Sequence, residues 1–462
     1  MDAQQIHQLK PMLNAYLREF DDCFGRHEPV AHLKTYVQGQ LSDLPRKSLE
    51  PIADAAGMEP RTLQHFLSRH EWDEQRVQDI LQQRVAQRHR HPCSIGVFDD
   101  SGHVKKGDQT PGVRRQWCGR LGKVDNCVVT VHLAYAAGDF HCLVGSELFL
   151  PEDWSQDRER CRKAGIPDDV THRPKWKIAL DLRDRAVANG VEMHWVTFDE
   201  NYPMNPEFLF GLDDRGQYYV GEVKRTFTGW LQRPDLLYKR RPGAKGRTGR
   251  FPRLKKKNVR PISLENMLTY SPHLRKIPWE TFHVKDTHKG PMVWQAKAAA
   301  IYLKRDGLPT RAHWLIVACN VENPEEIKFF LANAPAGTPL EMLLHVGFSR
   351  WRVERCFEDQ KSELGMSHFE VRTYRSLRRH LIVTALTYLF LAEVHHEWRG
   401  KKSAPDDLPA ANRRCGDGTF PVAVRARAKE ISGQDRRRDR PDTGTNPPVA
   451  TVARESQTQA AA

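Results

Sequence analysis

Residues 93–102 read CSIGVFDDSG and residues 193–202 read MHWVTFDENY. Each is a short apolar run that ends on an acid. The pattern predicts two buried strands, Cys93–Phe98 and Met193–Phe198, running straight into Asp99 and Asp199. A carboxylate that ends a buried strand lies at the edge of a sheet, where desolvation is costly unless a cation or hydrogen-bond donors compensate. Two such ends brought together would suit a divalent cation, since Mg2+ prefers oxygen ligands. Taken alone, either Asp is more simply read as the cap of the turn or helix that follows it.

Working outward, Cys127–Ala134 and Cys142–Leu150 read as further strands, Lys175–Asn189 as an amphipathic helix stopped by Gly190, and Tyr218–Val223 as another strand. This order predicts an α/β fold with a mixed sheet, in which functional groups gather at the C-terminal ends of strands. Residues 1–88 show helical spacing. Within them, Ser48–Arg69 has the spacing of a helix-turn-helix, with Ile52, Ala53 and Ala56 inward, Gly57 in the turn, and Leu63 and Phe66 inward on the second helix. That arrangement turns Arg61, Gln64, His65 and Arg69 outward as possible DNA-recognition residues, although any tight helical hairpin reads the same way. Strand-like pieces recur at Trp279–Val284 and Ala312–Ala318, and a helix returns near Leu340, continuous from Ser349 past Gly365. The expected division is 1–88 helical, 89–223 first part of the core, 224–338 a basic β-rich insertion, 339–400 helical second part of the core, and 401–462 a disordered tail.

Charge and composition remove several classes. The net charge is +14, and Lys224–Arg260 alone holds fourteen Lys or Arg against the single acid Asp235. A polyanion partner follows. Nine cysteines without a CxxC pair indicate reduced thiols rather than a disulfide framework. The N-terminus lacks an apolar h-region, so no signal peptide is expected. The longest apolar run, Leu381–Ala392, is too short to span a bilayer and is read as a buried helix. No P-loop, HExxH or GxSxG motif occurs.

A third acid is needed, and the segment from Arg350 to Lys361 offers it. Arg350, Glu354 and Lys361 stand at i, i+4 and i+11, one stripe of a helix, with Trp351, Phe357 and Leu364 nearer the opposite, core-facing side. By itself this is also an ordinary charged stripe with i, i+4 pairing. Together, however, Asp99-Asp100-Ser101-Gly102 with Lys105-Lys106-Gly107, the run Gln116–Val124, Asp199-Glu200-Asn201-Tyr202, Arg350-x3-Glu354-x6-Lys361 and Glu363-Leu364-Gly365-Met366 resemble the bacterial insertion-sequence transposases of the DDE superfamily, in the branch named IS-seven-hundred-and-one, related to the IS-four group.

The resemblance implies a ribonuclease-H-like core interrupted by a β-rich insertion, with Asp99, Asp199 and Glu354 as catalytic metal ligands for Mg2+ or Mn2+, two ions in number. Asp100 and Glu200 are the neighbours most easily confused with the ligands. Asp99 and Asp199 are preferred because each directly follows its strand. Arg350 and Lys361 would hold phosphates. The related group carries a tyrosine where this chain has Gly347, which puts in question any phosphate contact made there. Lys239, Arg240, Arg241, Lys255, Lys256 and Lys257 are expected to track DNA backbone with salt-dependent affinity. The expected partner is double-stranded DNA, both element ends and target, with a homodimer on DNA because two ends are processed, no membrane, and a cytoplasmic, nucleoid-associated location. A nuclease without strand transfer and a catalytically inactive DNA-binding regulator are the competing readings. Trp294 and Trp314 could stack on an extruded base, the second being the better candidate for core.

Overall fold

The computed structural model describes residues 3–239, 251–287 and 290–400. Helices α1 (Ala3–Arg18), α2 (His27–Leu41), α3 (Leu49–Ala55), α4 (Pro60–Ser68) and α5 (Glu74–Arg88) precede the first strand. α3 and α4 form the predicted pair. Gly57 takes φ +65 in the turn between them, and Pro60 starts α4 at a position where its missing N–H costs nothing. Ile52, Ala53, Leu63 and Phe66 are buried as expected, but Ala56 is exposed, because α3 ends one residue before it.

Strands β1 (Ile95–Val104), β2 (Arg114–Cys118), β3 (Lys123–Ala137) and β4 (Phe140–Leu148) come next, followed by the short helices α6 (Glu152–Gln156) and α7 (Arg158–Lys163) and by α8 (Lys175–Ala188). β5 (Trp195–Phe198), α9 (Glu207–Asp214) and β6 (Tyr218–Val223) complete the first part. Beyond lie β7 (Thr228–Gly229), β8 (Leu236–Lys239), β9 (Phe251–Leu254), β10 (Ile262–Ser263), α10 (Leu264–Tyr270) and α11 (Pro272–Lys276). The long strands β11 (Glu280–Thr287), β12 (Gly290–Arg305) and β13 (Leu308–Asn320) follow with β14 (Ile327–Ala332), and the chain closes on α12 (Leu340–Phe348), α13 (Trp351–Ser362) and α14 (Tyr374–Gly400).

Ten strands make one sheet in the order β11-β12-β13-β14-β6-β5-β1-β3-β2, with β4 also paired to β3. β1 pairs parallel to β5 and antiparallel to β3, and β5 pairs parallel to β6. The mixed α/β expectation holds. Two features differ from the sequence reading. β1 does not stop at Phe98: it runs through Asp99 and Asp100 to Val104, because fifteen-residue β3 supplies an antiparallel partner along its whole length, pairing Asp99 with His132 and Val104 with Cys127. The strands between Lys224 and α12, read as a β-rich insertion with no pairing partner assigned, join the core sheet, since β14 pairs antiparallel with β6 and carries the sheet onward.

The helix read as continuous from Ser349 past Gly365 is shorter. α13 starts at Trp351 with Arg350 as its N-cap and stops at Ser362, and Gly365 takes φ +70 in the turn beyond. Trp351 is 39% exposed instead of core-facing, whereas Phe357 and Leu364 are buried. Trp294 is buried against Phe348, and half-buried Trp314 packs against the core and donates its indole N–H to the Ala334 carbonyl at 3.1 Å.

α14 contains the Leu381–Ala392 run and is buried along most of its length. No described helix is long and apolar enough to cross a membrane. Helices α2, α4 and α5 pack against α14, and α1 and α2 reach it through polar contacts deep in the interface. Tyr16 Oη donates to the Leu386 carbonyl at 2.8 Å, the Tyr36 hydroxyl meets His380 Nδ1 at 2.8 Å, and Gln40 bonds to Thr384 and Thr387 at 2.8 and 2.7 Å. Among the described residues seven cysteines are free thiols, in line with the expectation.

Arg84 of α5 donates to Glu393 of α14 from Nε and Nη2 at 2.6 to 3.0 Å, and His89 lies 3.4 Å from the same carboxylate. Burial would raise the Glu393 carboxyl, but the bonds from His89 and Arg84 outweigh it and hold the group below its ordinary 4.5. A depressed carboxyl contributes stability above its unfolded-state pKa and loses it as pH falls through the lower folded-state value. Glu393→Gln leaves Glu19 as the carboxylate partner of Arg84 and should therefore cost about 1.5–3 kcal/mol near neutral pH in urea unfolding. The variant should also lose less stability than the parent as the pH drops below 4.5.

Candidate active site

The last paired residues of the β1–β5 register are Phe98 and Phe198, so Asp99 and Asp199 follow side by side on parallel neighbours. The close fit at this point depends on Gly221 of β6, where a Cβ would stand 1.9 Å from the Phe198 ring. Burial pushes the Asp99 carboxyl up to about 7, with Arg350 opposing and Asp199 and Asp100 reinforcing the shift. Asp199 is raised as well, first by burial and then by Asp100, against hydrogen bonds from Asn201. Those bonds come from the Asn201 backbone N–H at 3.1 Å and its side-chain amide at 2.7 Å.

α13 lies across this pair. Arg350 Nη1 meets Asp99 Oδ2 at 3.1 Å while Nη2 meets Glu354 Oε1 at 2.5 Å, so one guanidinium joins two of the three predicted acids. At the other end of the same stripe, Lys361 Nζ donates to the Gly102 carbonyl of β1 at 3.4 Å, and burial lowers its pKa to about 8. Arg350, Glu354 and Lys361 thus share the face turned to β1. The three acids do not close into a compact group: among the described residues, the set of three potential ligands whose donor atoms all lie within 4.8 Å is Glu28, His32 and His70. Arg350 occupies the space between Asp99 and Glu354, supplying positive charge where a cation would.

The residues present suit a divalent cation. Asp99 and Asp199 are mostly buried, the one direct cation partner shown for them is the Arg350 guanidinium on Asp99, and the buried Tyr202 hydroxyl near them has no hydrogen-bond partner. Its own pKa is raised by burial and by Asp100, Asp99 and Asp199, which places it among all three aspartates. Asp100 is set apart from Asp99 by its partner, the Lys175 ammonium at the start of α8, 2.6 Å away. Alternation along β1 sends the two neighbouring carboxylates to opposite partners, one to α13 and one to α8. Glu200 is exposed and lines a cleft with Pro203, Met204, Lys224, Phe227 and Lys304.

Behind the acids lies a buried polar chain. Ser367 Oγ, His103, Thr130 Oγ1, His132 and Ser146 Oγ follow one another at 2.6 to 2.9 Å. Burial and the Lys361 charge hold both imidazoles neutral, His132 down to about 3. Lys105 of the Lys-Lys-Gly motif donates to the carbonyls of Ser367 and Phe369 at 2.9 and 2.6 Å, which ties the turn after α13 to β1. Gly347 belongs to α12 and packs on Phe330 and Val220, where an added Cβ would already lie 3.1 to 3.3 Å from their side chains. A side chain there would press on both of them.

Several side chains at the site were missed. Lys175 and Tyr202 carry no local signal that distinguishes them from surface and core. Lys285 of β11 sits 4.3 Å from the Trp351 ring centroid and feels Glu354. The β2–β3 hairpin presents Trp117 62% exposed with exposed Arg114, Arg115, Arg120 and Lys123, and Arg120 acts on the Lys361 ammonium. Aromatic and basic residues alternating on a hairpin tip could have been read as a nucleic-acid surface. Of the basic segment, Lys255, Lys256 and Lys257 are exposed, Lys255 facing Asp235 at 3.4 Å; Lys239 ends β8, and Arg240 and Arg241 lie outside the described residues. Arg61, Gln64 and Arg69 are exposed on the α4 side of the helical pair, and His65 is half-buried.

The family model of the DDE superfamily endonucleases matches residues 19–291, more than half of the chain and including both Asp99 and Asp199. The chain is also 28% identical over 205 residues to a protein of Microchaete diplosiphon described as a probable transposase for insertion sequence element IS701; the alignment takes in 43% of this chain and 50% of that relative, so only half of the relative's length is spanned. With two adjacent strand-borne aspartates facing a helix that carries Arg350 and Glu354, this protein belongs to the DDE superfamily of endonucleases.

Proposed function

We propose that the protein is an insertion-sequence transposase that cuts DNA at the ends of its element and joins them to a target. The observation that carries this reading is the parallel register that sets Asp99 beside Asp199, with Glu354 held opposite through Arg350. A ribonuclease-H-like core is supported by the strand order β4-β3-β1-β5-β6, three antiparallel strands followed by two parallel ones, with α8 leading into β5 and α9 into β6.

Asp99, Asp199 and Glu354 would hold two ions of the Mg2+ or Mn2+ type. Such ions activate the attacking water or 3′-hydroxyl and stabilise the leaving oxygen. Arg350, released from its double ion pair, is placed to take the phosphate next to the scissile bond, and Lys361, buried on the same stripe, is a second phosphate ligand. The Lys175–Asp100 pair keeps the neighbouring carboxylate occupied and out of the ligand set. Duplex is held by sequence-independent charge on Lys255, Lys256 and Lys257, by the Trp117–Arg120 hairpin beside Lys361, and by the exposed α4 residues Arg61, Gln64 and Arg69. Processing of two ends calls for two copies on DNA.

Asp199→Asn and Glu354→Gln should each lower Mg2+-dependent cleavage of element-end DNA by about 10²–10³-fold or more while leaving binding in a gel-shift assay unchanged. Normal cutting by either variant would remove that residue from the ligand set. Joining of pre-cut ends to a plasmid separates a transposase from an enzyme that only cuts. Replacing Lys255, Lys256 and Lys257 by Ala should weaken binding equally on all sequences and flatten the slope of log K against log salt by up to about three units.

A further inference from the structure

We infer that Glu28, His32 and His70 form a Zn(II) site in the helical part of the chain, separate in residues and chemistry from the acids of the active site. One donor atom from each of the three lies within 4.8 Å of the others. His32 is only 6% exposed, and Nδ1 of both His32 and His70 is buried without any hydrogen-bond partner. A buried ring nitrogen is costly to leave unpaired, and two that face one another gain nothing by hydrogen bonding to water they cannot reach. Their ring centroids are 5.3 Å apart.

The three residues are positioned independently of any ligand. Glu28 and His32 stand one turn apart on α2, so they share a face. His70 lies in the turn after α4, and its backbone is pinned on both sides: its N–H donates to the His65 carbonyl at 2.9 Å, and its carbonyl accepts from Arg379 at 2.8 Å. Two imidazoles and one carboxylate suit Zn(II) with a fourth position open to water, and do not suit Mg2+, which prefers oxygen. Bonds of about 2.0–2.1 Å place tetrahedral donors roughly 3.3–3.5 Å apart, so small rotations of the exposed Glu28 and half-buried His70 side chains would complete the shell. The consequence is a clasp between α2 and the end of α4, the helix that shows Arg61, Gln64 and Arg69.

The full-length protein, stripped with a chelator and dialysed against Zn(II) in excess Mg2+, tests this by metal analysis and thermal unfolding. The parent should keep one Zn(II) equivalent more than His70→Gln and gain a Tm increase that the variant lacks. Glu28→Gln, at an exposed position, should weaken the Zn(II) affinity by about 10–100-fold, the scale of losses around metal sites. Substituting Co(II) should give a spectrum without thiolate charge-transfer bands, which excludes the cysteines as the ligands. Asp199→Asn should leave the extra equivalent in place, so a failure of the proposed catalytic role and a failure of this site are told apart. Equal Zn(II) content and equal Tm shifts in the parent and both variants would overturn the proposal, as would a thiolate spectrum.

Discussion

Two carboxylates on adjacent parallel strands repel one another, and much of this molecule is arranged around that repulsion. The β1–β5 register leaves no freedom about where Asp99 and Asp199 go, and burial removes the water that would otherwise screen them. One cation, Arg350, is brought in by α13, and it is shared with Glu354. Lys175 takes Asp100, the third acid in reach. Every one of these cations arrives from a different place in the chain, so the charge balance of the site is a property of the tertiary fold. Positive charge is still in short supply beside Asp199, whose compensation comes mostly from the neutral donor Asn201. That shortage is one a divalent cation bound by the carboxylates would make good.

The sheet explains how α13 reaches the acids. α12 crosses the faces of β5 and β6 and also touches β11, although β11 is the far edge of the sheet. The strands between the second and third acids therefore wrap back toward the site instead of forming a remote lobe, and Lys285 of β11 ends against Trp351 at the start of α13. Gly347 packs directly on Phe330 and Val220 and so fixes α12 to the joint between β6 and β14.

What the sequence made legible was local. The runs before Asp99 and Asp199, the helix Lys175–Ala188 with Gly190 behind it, the α3–Gly57–α4 turn and the Arg350–Glu354–Lys361 stripe all follow from periodicity and turn chemistry over a dozen residues. What it hid was non-local. The polar stretch Asp99–His103 reads as loop, yet it is strand because β3 pairs with it, and His103 is buried because Thr130 and Ser367 satisfy its two nitrogens. The merging of β14 with β6 gave no signal for the same reason. Arg379 is the sharpest case: it looks like one more cation on a basic helix, but it is 1% exposed and donates to the carbonyls of Phe66, Leu67, His70 and Trp72. These carbonyls belong to the end of α4 and the turn beyond, where an intrahelical partner is missing.

That arginine and the Arg84–Glu393 pair have a consequence in time. Arg84 and Glu393 are 309 residues apart in the chain, and Arg379 reaches back 313 residues to Phe66. At roughly 5–20 residues per second, a ribosome needs about 15–60 s to make that interval. Through all of it the first five helices exist without the helix that buries them, and the α3–α4 pair lacks the side chain that finishes its second helix. The N-terminal part of this protein is made first and completed last, so its exposed apolar faces are a burden on the nascent chain rather than on the finished molecule.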